Sequence, residues 1–85
     1  MDRAAILSEL KKVLKPYTED KEMLNGITEE TSLIRDLKIN SANLVDIIID
    51  AEAQYKIEID LESAEKMVKV GAIIDVIIDK LNSSA

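Results

Sequence analysis

Residues 36–45 read Asp36-Leu37-Lys38-Ile39-Asn40-Ser41-Ala42-Asn43-Leu44-Val45, and residues 46–55 continue Asp46-Ile47-Ile48-Ile49-Asp50-Ala51-Glu52-Ala53-Gln54-Tyr55. A loop ends in a serine, and an apolar, acidic segment follows. Three isoleucines in a row favour a strand locally. The i, i+3, i+4 recurrence of apolar residues, with acids between them, instead predicts a helix from Ser41 to about Tyr55. Ser41 suits its N-cap, because a hydroxyl oxygen there can accept a bond from an early backbone N–H. At about 100° per residue, Leu44, Ile48, Ala51 and Tyr55 cluster within roughly 60° of arc as a core face, with Ile47 at its margin. Ala42, Val45, Ile49 and Ala53 form a second apolar stripe roughly 130° away, bordered by Asp46 and Asp50 on one side and Glu52 on the other. A bundle helix needs one apolar face. A second face rimmed by acids suggests docking, unless the preceding loop covers it.

Working outward, Asp2 is placed to cap a first helix from Arg3 to about Lys15, with Ile6, Leu10, Val13 and Leu14 on one face. Pro16 marks its end. Residues 16–40 hold no long periodic pattern. Asn25-Gly26 signals a turn, and Thr18 or Thr28 could cap a short one. Ile27, Leu33, Ile34, Leu37 and Ile39 are expected to pin this long loop to the core; loops of such length are often functional. After the central helix, Ile57-Glu58-Ile59 alternates like a strand but is too short and isolated for a sheet, so it reads as an extended connector. Asp60 would cap a short helix from Leu61 to Met67. A last helix spans about Val70 to Leu81 through Val70, Ile73, Ile74, Ile77, Ile78 and Leu81, and residues 82–85 read as a frayed tail. The expected fold is all-α, one domain over residues 1–85, a bundle of three main helices and one short helix with a long first loop.

Composition excludes much chemistry. The 85 residues include no Phe and no Trp, so the core must be aliphatic with some Met. With no Cys and no His, disulfides, thiolate sites, Ser-His-Asp triads and the common zinc sites are ruled out. Asp60-Leu61-Glu62 starts like a calcium loop but lacks the required Gly and later ligands. Gly26 and Gly71 are isolated, so there is no phosphate-cradling loop. No cleft that would shift a carboxylate pKa is predicted, and catalysis by the chain itself is not expected. No apolar run approaches the ~20 residues that span a bilayer, and the N-terminus has no signal-peptide core, which points to a cytoplasmic protein. The net charge is −6. Residues 43–65 carry Asp46, Asp50, Glu52, Glu58, Asp60, Glu62 and Glu65 against Lys56 alone. Such a field repels nucleic acid and anionic membrane and attracts basic protein surfaces, although ordinary solubilising charge would look the same. If the chain has a chemical site, Ser41 is the candidate, as an attachment point.

Taken together, Ser32-Leu33-Ile34-Arg35-Asp36-Leu37, Ser41 at the head of a helix, Glu52-Ala53-Gln54-Tyr55-Lys56-Ile57-Glu58-Ile59, Ser63-Ala64-Glu65-Lys66-Met67 and Val70-Gly71-Ala72-Ile73-Ile74-Asp75 resemble an acyl carrier protein over about residues 32–79. The resemblance implies a four-helix bundle that is not an enzyme but carries acyl intermediates as thioesters. The carrying group would be a 4′-phosphopantetheine arm from coenzyme A, joined to Ser41 by a phosphopantetheinyl transferase. It also implies docking on basic patches of acyl-transferring and acyl-processing enzymes of fatty-acid, lipid or specialised-metabolite biosynthesis. Ala42, Val45, Asp46, Ile49, Glu52 and Ile59 match recognition positions, the last near the mouth of the acyl pocket. A monomer with no nucleic acid, metal or stable membrane insertion is implied. The family's usual Asp-Ser-Leu triplet reads Asn40-Ser41-Ala42 here, and Ala53 replaces a commonly acidic residue, which suggests a specialised carrier. An aminoacyl or peptidyl carrier, or an unmodified acidic adaptor of the same fold, are the alternatives.

Overall fold

Asp2 opens the first helix as expected: its carboxylate accepts from Ala4 N at 3.1 Å, and α1 runs over Arg3–Leu14 in a computed structural model that describes residues 2–83. Ile6, Leu10 and Leu14 are buried along one face, with Val13 packed against them. At Pro16 the chain tightens into a 3₁₀ turn, Lys15–Tyr17, because proline fits the start of a helical turn but cannot continue one.

The long loop has more structure than expected. It contains a one-turn helix, α2 (Lys21–Asn25), capped by Asp20, whose carboxylate accepts from Met23 N at 3.0 Å. Thr28 caps a short turn as expected, its hydroxyl accepting from Glu30 N at 3.2 Å, and so does Thr18. Thr18 is buried, donates to the Leu37 carbonyl at 2.7 Å and accepts from Asp20 N at 3.2 Å, so it clips the first part of the loop to the last. Ile27, Leu33, Leu37 and Ile39 are buried as expected. Ile34 is not: it is 44% exposed. A reverse turn explains this. Ser32 N donates to the Asp36 carboxylate at 2.7 Å, and Asp36 N donates to the Ser32 carbonyl at 3.1 Å, which leaves Ile34 at the tip.

This loop is stitched to the start of the last helix. Leu33 N donates to Val68 O at 3.1 Å, Val70 N to Thr31 O at 3.0 Å and Gly71 N to Glu29 O at 2.9 Å. A Cβ on Gly71 would sit 2.9 Å from Glu29 O and 3.0 Å from Glu29 Cβ, so the glycine is what permits the approach. Gly71→Ala should destabilise the fold by about 1–3 kcal/mol from this crowding, even though alanine is the better helix former by ~1 kcal/mol. Gly26→Ala is the control, since its nearest atoms would be 3.9 Å away. Urea unfolding of the two variants makes the comparison.

The central helix, α3, spans Asn43–Tyr55 and ends at Lys56, whose φ of 55° is left-handed, with Ile57 N donating to Glu52 O at 3.2 Å. Ile47 and Ala51 are its fully buried residues, flanked by half-buried Leu44, Ile48 and Tyr55. Ile47 is therefore at the centre of the core face and not at its margin. α4 (Leu61–Glu65) is shorter than expected, though Met67 beyond it is buried. Asp60 caps it, accepting from Ser63 N at 3.2 Å. α5 (Val70–Ser83) runs past Leu81, so Asn82 and Ser83 are helical, while Ser84 and Ala85 of the expected tail lie outside the described residues. Val70, Ile73, Ile74, Val76 and Ile77 of α5 join Ile47 and the α1 face in one aliphatic cluster. The architecture is thus the expected helical bundle, with α2 added inside the loop. Among the described residues the only β-type pairing is the isolated bridge Ser32–Lys69.

An ion pair ties α4 to α5: Lys80 Nζ lies 2.7 Å from Asp60 Oδ1. Lys80 foremost, and Ser63 next, hold the Asp60 carboxyl well below the usual carboxylate range. The folded state therefore binds fewer protons than the unfolded one, whose Asp titrates near about 3.9. This contribution is fully present above the unfolded value and is lost as pH falls through the folded one. Asp60→Asn should lower stability at neutral pH and make the acid limb of a stability–pH profile shallower, with the two proteins converging only as the pH falls through the folded-state value of Asp60.

Candidate attachment site and docking face

The turn that presents Ser41 is built from the two residues before it. Leu37 and Ile39 point into the core, Lys38 between them takes a left-handed φ of 55°, and Ile39 N donates to Leu33 O at 3.0 Å. Asn40 then turns the chain: its side-chain oxygen accepts from Ala42 N at 2.9 Å, and its carbonyl accepts from Asn43 N at 2.8 Å. Ala42 is already helical (φ −63°, ψ −27°) and Leu44 N donates to Ser41 O at 3.2 Å, so the first turn begins before α3 proper.

The capping role expected of Ser41 is therefore taken by Asn40. A short amide side chain reaches the N–H two residues on, whereas Ser41 already lies inside the turn. Its hydroxyl is exposed and, among the described residues, has no hydrogen-bond partner. The cap was legible as a type, since Asn ranks with Ser at that position; what the sequence could not say was which of two adjacent candidates would serve.

The second stripe is open. Val45 is 60% and Ile49 54% exposed, with Ala42 and Ala53 exposed beside them. The loop of residues 16–40 does not cover it. It reaches only the rim, where the Tyr17 hydroxyl donates to Asp50 at 2.6 Å, and that bond pushes the tyrosine pKa up to about 12. Asp46 is exposed on the rim. Ala42, Val45, Asp46 and Ile49 thus share one solvent face leading away from Ser41.

Glu52 and Ile59 behave differently. The half-buried Glu52 carboxylate accepts from Ile59 N at 2.8 Å, which fastens the connector after α3 back onto the helix. Both line a cleft of about 500 Å³ with Glu58, Asp60 and Lys80. Met23, Val68 and Leu61 are exposed apolar residues that the spacing does not single out, and Leu61, at 78%, is the most exposed. Its place directly after the Asp60 cap is the missed signal, because the first residue of a short helix has little chance to reach the core.

Among the described residues no group of carboxylates is arranged to hold a metal ion, and no helix is long and apolar enough to cross a membrane. What the described residues do present is an exposed serine hydroxyl without a hydrogen-bond partner, beside an apolar face with an acidic rim, on a small aliphatic bundle. Sequence comparison finds no matching family model and no matching curated protein. Structure comparison does find matches. The acyl carrier protein of Thermotoga maritima superposes with a TM-score of 0.84 over 100% of this chain and 96% of that one, at 22% identity. The acyl carrier protein of Enterococcus faecalis, described for its high thermal stability, gives a TM-score of 0.75 over 94% of this chain and 99% of that one, at 25% identity. The chain has the acyl-carrier-protein fold.

Proposed function

We propose that this protein is an acyl carrier, with Ser41 as the attachment point of a 4′-phosphopantetheine arm. The observation that carries the reading is the exposed Ser41 hydroxyl, without a hydrogen-bond partner among the described residues, at the head of the helix whose next turns bear the open Ala42–Val45–Ile49 stripe. A phosphodiester on that oxygen would stand at the N-terminal end of a 13-residue helix, where the helix dipole favours negative charge. The arm supplies the thiol that a chain without cysteine lacks. The protein's own part is to hold the serine rigidly outward through Leu37, Ile39 and Asn40, and to present Val45, Ile49 and Asp46 to basic partner surfaces. Glu52 contributes by fixing the connector that carries Ile59. The strongly aliphatic core supports an acyl cargo over an aminoacyl one.

The test is direct. Incubation with coenzyme A and a broad-specificity phosphopantetheinyl transferase should add one arm, seen in the intact mass and located by peptide mapping on Ser41. An unchanged mass, or an arm elsewhere, would overturn the reading.

A further inference from the structure

The chain has four asparagines, and by sequence Asn25-Gly26 is the one most prone to lose its side-chain amide, because glycine crowds the attacking nitrogen least. The fold reverses that order. The reaction needs the backbone nitrogen of the following residue to reach the side-chain carbonyl carbon, so that nitrogen must be free. Gly26 N is held by Met23 O at 3.1 Å and Glu22 O at 3.3 Å, Leu44 N (after Asn43) by Ser41 O at 3.2 Å, and Ser83 (after Asn82) lies within α5. Ser41 N, after Asn40, has no acceptor among the described residues. Asn40 is also exposed, and its side-chain oxygen accepts from Ala42 N at 2.9 Å. That oxygen is the atom that becomes an oxyanion when the carbon is attacked, so the Ala42 N–H stands ready as a donor to the developing charge.

We propose that Asn40 is a self-modifying site, at which the folded chain converts its own asparagine to an acid beside Ser41. The Ser41 nitrogen, losing its proton to solvent, bonds to the Asn40 side-chain carbonyl carbon; ammonia leaves with that proton equivalent, closing a five-membered imide. Water then opens the imide at either carbonyl, giving aspartate or its isoaspartyl isomer. No oxidant or other reagent is needed. The aspartyl product keeps the oxygen that caps Ala42 N and adds a negative charge at the start of α3, where the helix dipole favours it. The conversion does not depend on the carrier reading; its consequence does, since the charge appears one residue from the proposed attachment serine.

Ageing the full-length protein in mildly alkaline buffer and mapping its peptides by mass tests the chemistry. Acid should accumulate at Asn40 ahead of Asn25, and the order should reverse in denaturant. Ser41→Pro, which removes the attacking N–H at the first helical position, where helices accept proline, should stop acid forming at Asn40. Conversion at Asn25 first in the folded protein, or an unchanged rate at Asn40 in Ser41→Pro, would overturn the proposal. For the consequence, Asn40→Asp should receive the arm roughly fivefold faster than the unaged protein, as expected for one added charge near contact; equal rates would overturn it. If neither protein receives an arm, the carrier reading fails while the mass map still decides the conversion.

Discussion

Ser41→Ala should abolish attachment of the arm and leave stability within about 0.5 kcal/mol of the parent. The two halves of this expectation come from different observations. Attachment needs the hydroxyl oxygen, and among the described residues no other serine heads a long helix beside an open apolar stripe. Stability should not change, because among the described residues the hydroxyl makes no hydrogen bond and the side chain is exposed. Had Ser41 been the N-cap, as its position in the sequence suggests, alanine would cost about 1 kcal/mol. That cost should appear instead in Asn40→Ala, which removes the acceptor of Ala42 N. Urea midpoints of the two variants, read beside their intact masses after incubation with the transferase and coenzyme A, separate tether from cap. A large loss of stability in Ser41→Ala with none in Asn40→Ala would reverse the assignment.

The sequence carried the main helices well, because their aliphatic residues recur at helical spacing over about two turns or more: Ile6, Leu10 and Leu14 in α1, Val70, Ile73, Ile74 and Ile77 in α5. It failed where the spacing had too little length to show. α2 has five residues and buries only Leu24, so no period could form. In the loop, the five apolar residues looked alike, yet Ile34 is carried outward by a turn that depends on hydrogen bonds between Ser32 and Asp36. The candidate site was legible as a serine before a two-faced helix. The capping by Asn40 was not, since neighbouring Asn and Ser have the same local chemistry and only the backbone path chooses between them. Nor could the bond from Ile59 N to the Glu52 carboxylate be read from spacing alone. A glutamate on the rim of an apolar stripe has the same sequence signature whether it faces a partner or its own chain.

Leu37→Ala should be the most damaging single truncation near the site, costing about 3–5 kcal/mol from lost burial and the cavity left behind. Leu37 is 0% exposed, and its carbonyl takes the Thr18 hydroxyl at 2.7 Å, so the residue closes the loop at both its side chain and its backbone. Collapse around the cavity is hindered, because Leu33 and Ile39 nearby are fixed by hydrogen bonds to Val68 O and Leu33 O. An 85-residue chain with a small aliphatic core has stability near the low end of the usual range, about 5 kcal/mol, so the variant should keep only about 0–2 kcal/mol and be up to about half unfolded at room temperature. Ile34→Ala removes a bulky aliphatic side chain from the same loop, yet its partial exposure limits the expected cost to about 1 kcal/mol or less. The comparison also bears on function. Leu37 lies three residues before Asn40, and loosening that anchor frees the turn that holds Ser41 outward. If Leu37→Ala is tested at low temperature, where the fold is populated, arm attachment should slow relative to Ile34→Ala. An urea midpoint for Leu37→Ala close to that of Ile34→Ala would show that the loop before Ser41 is not anchored through this side chain.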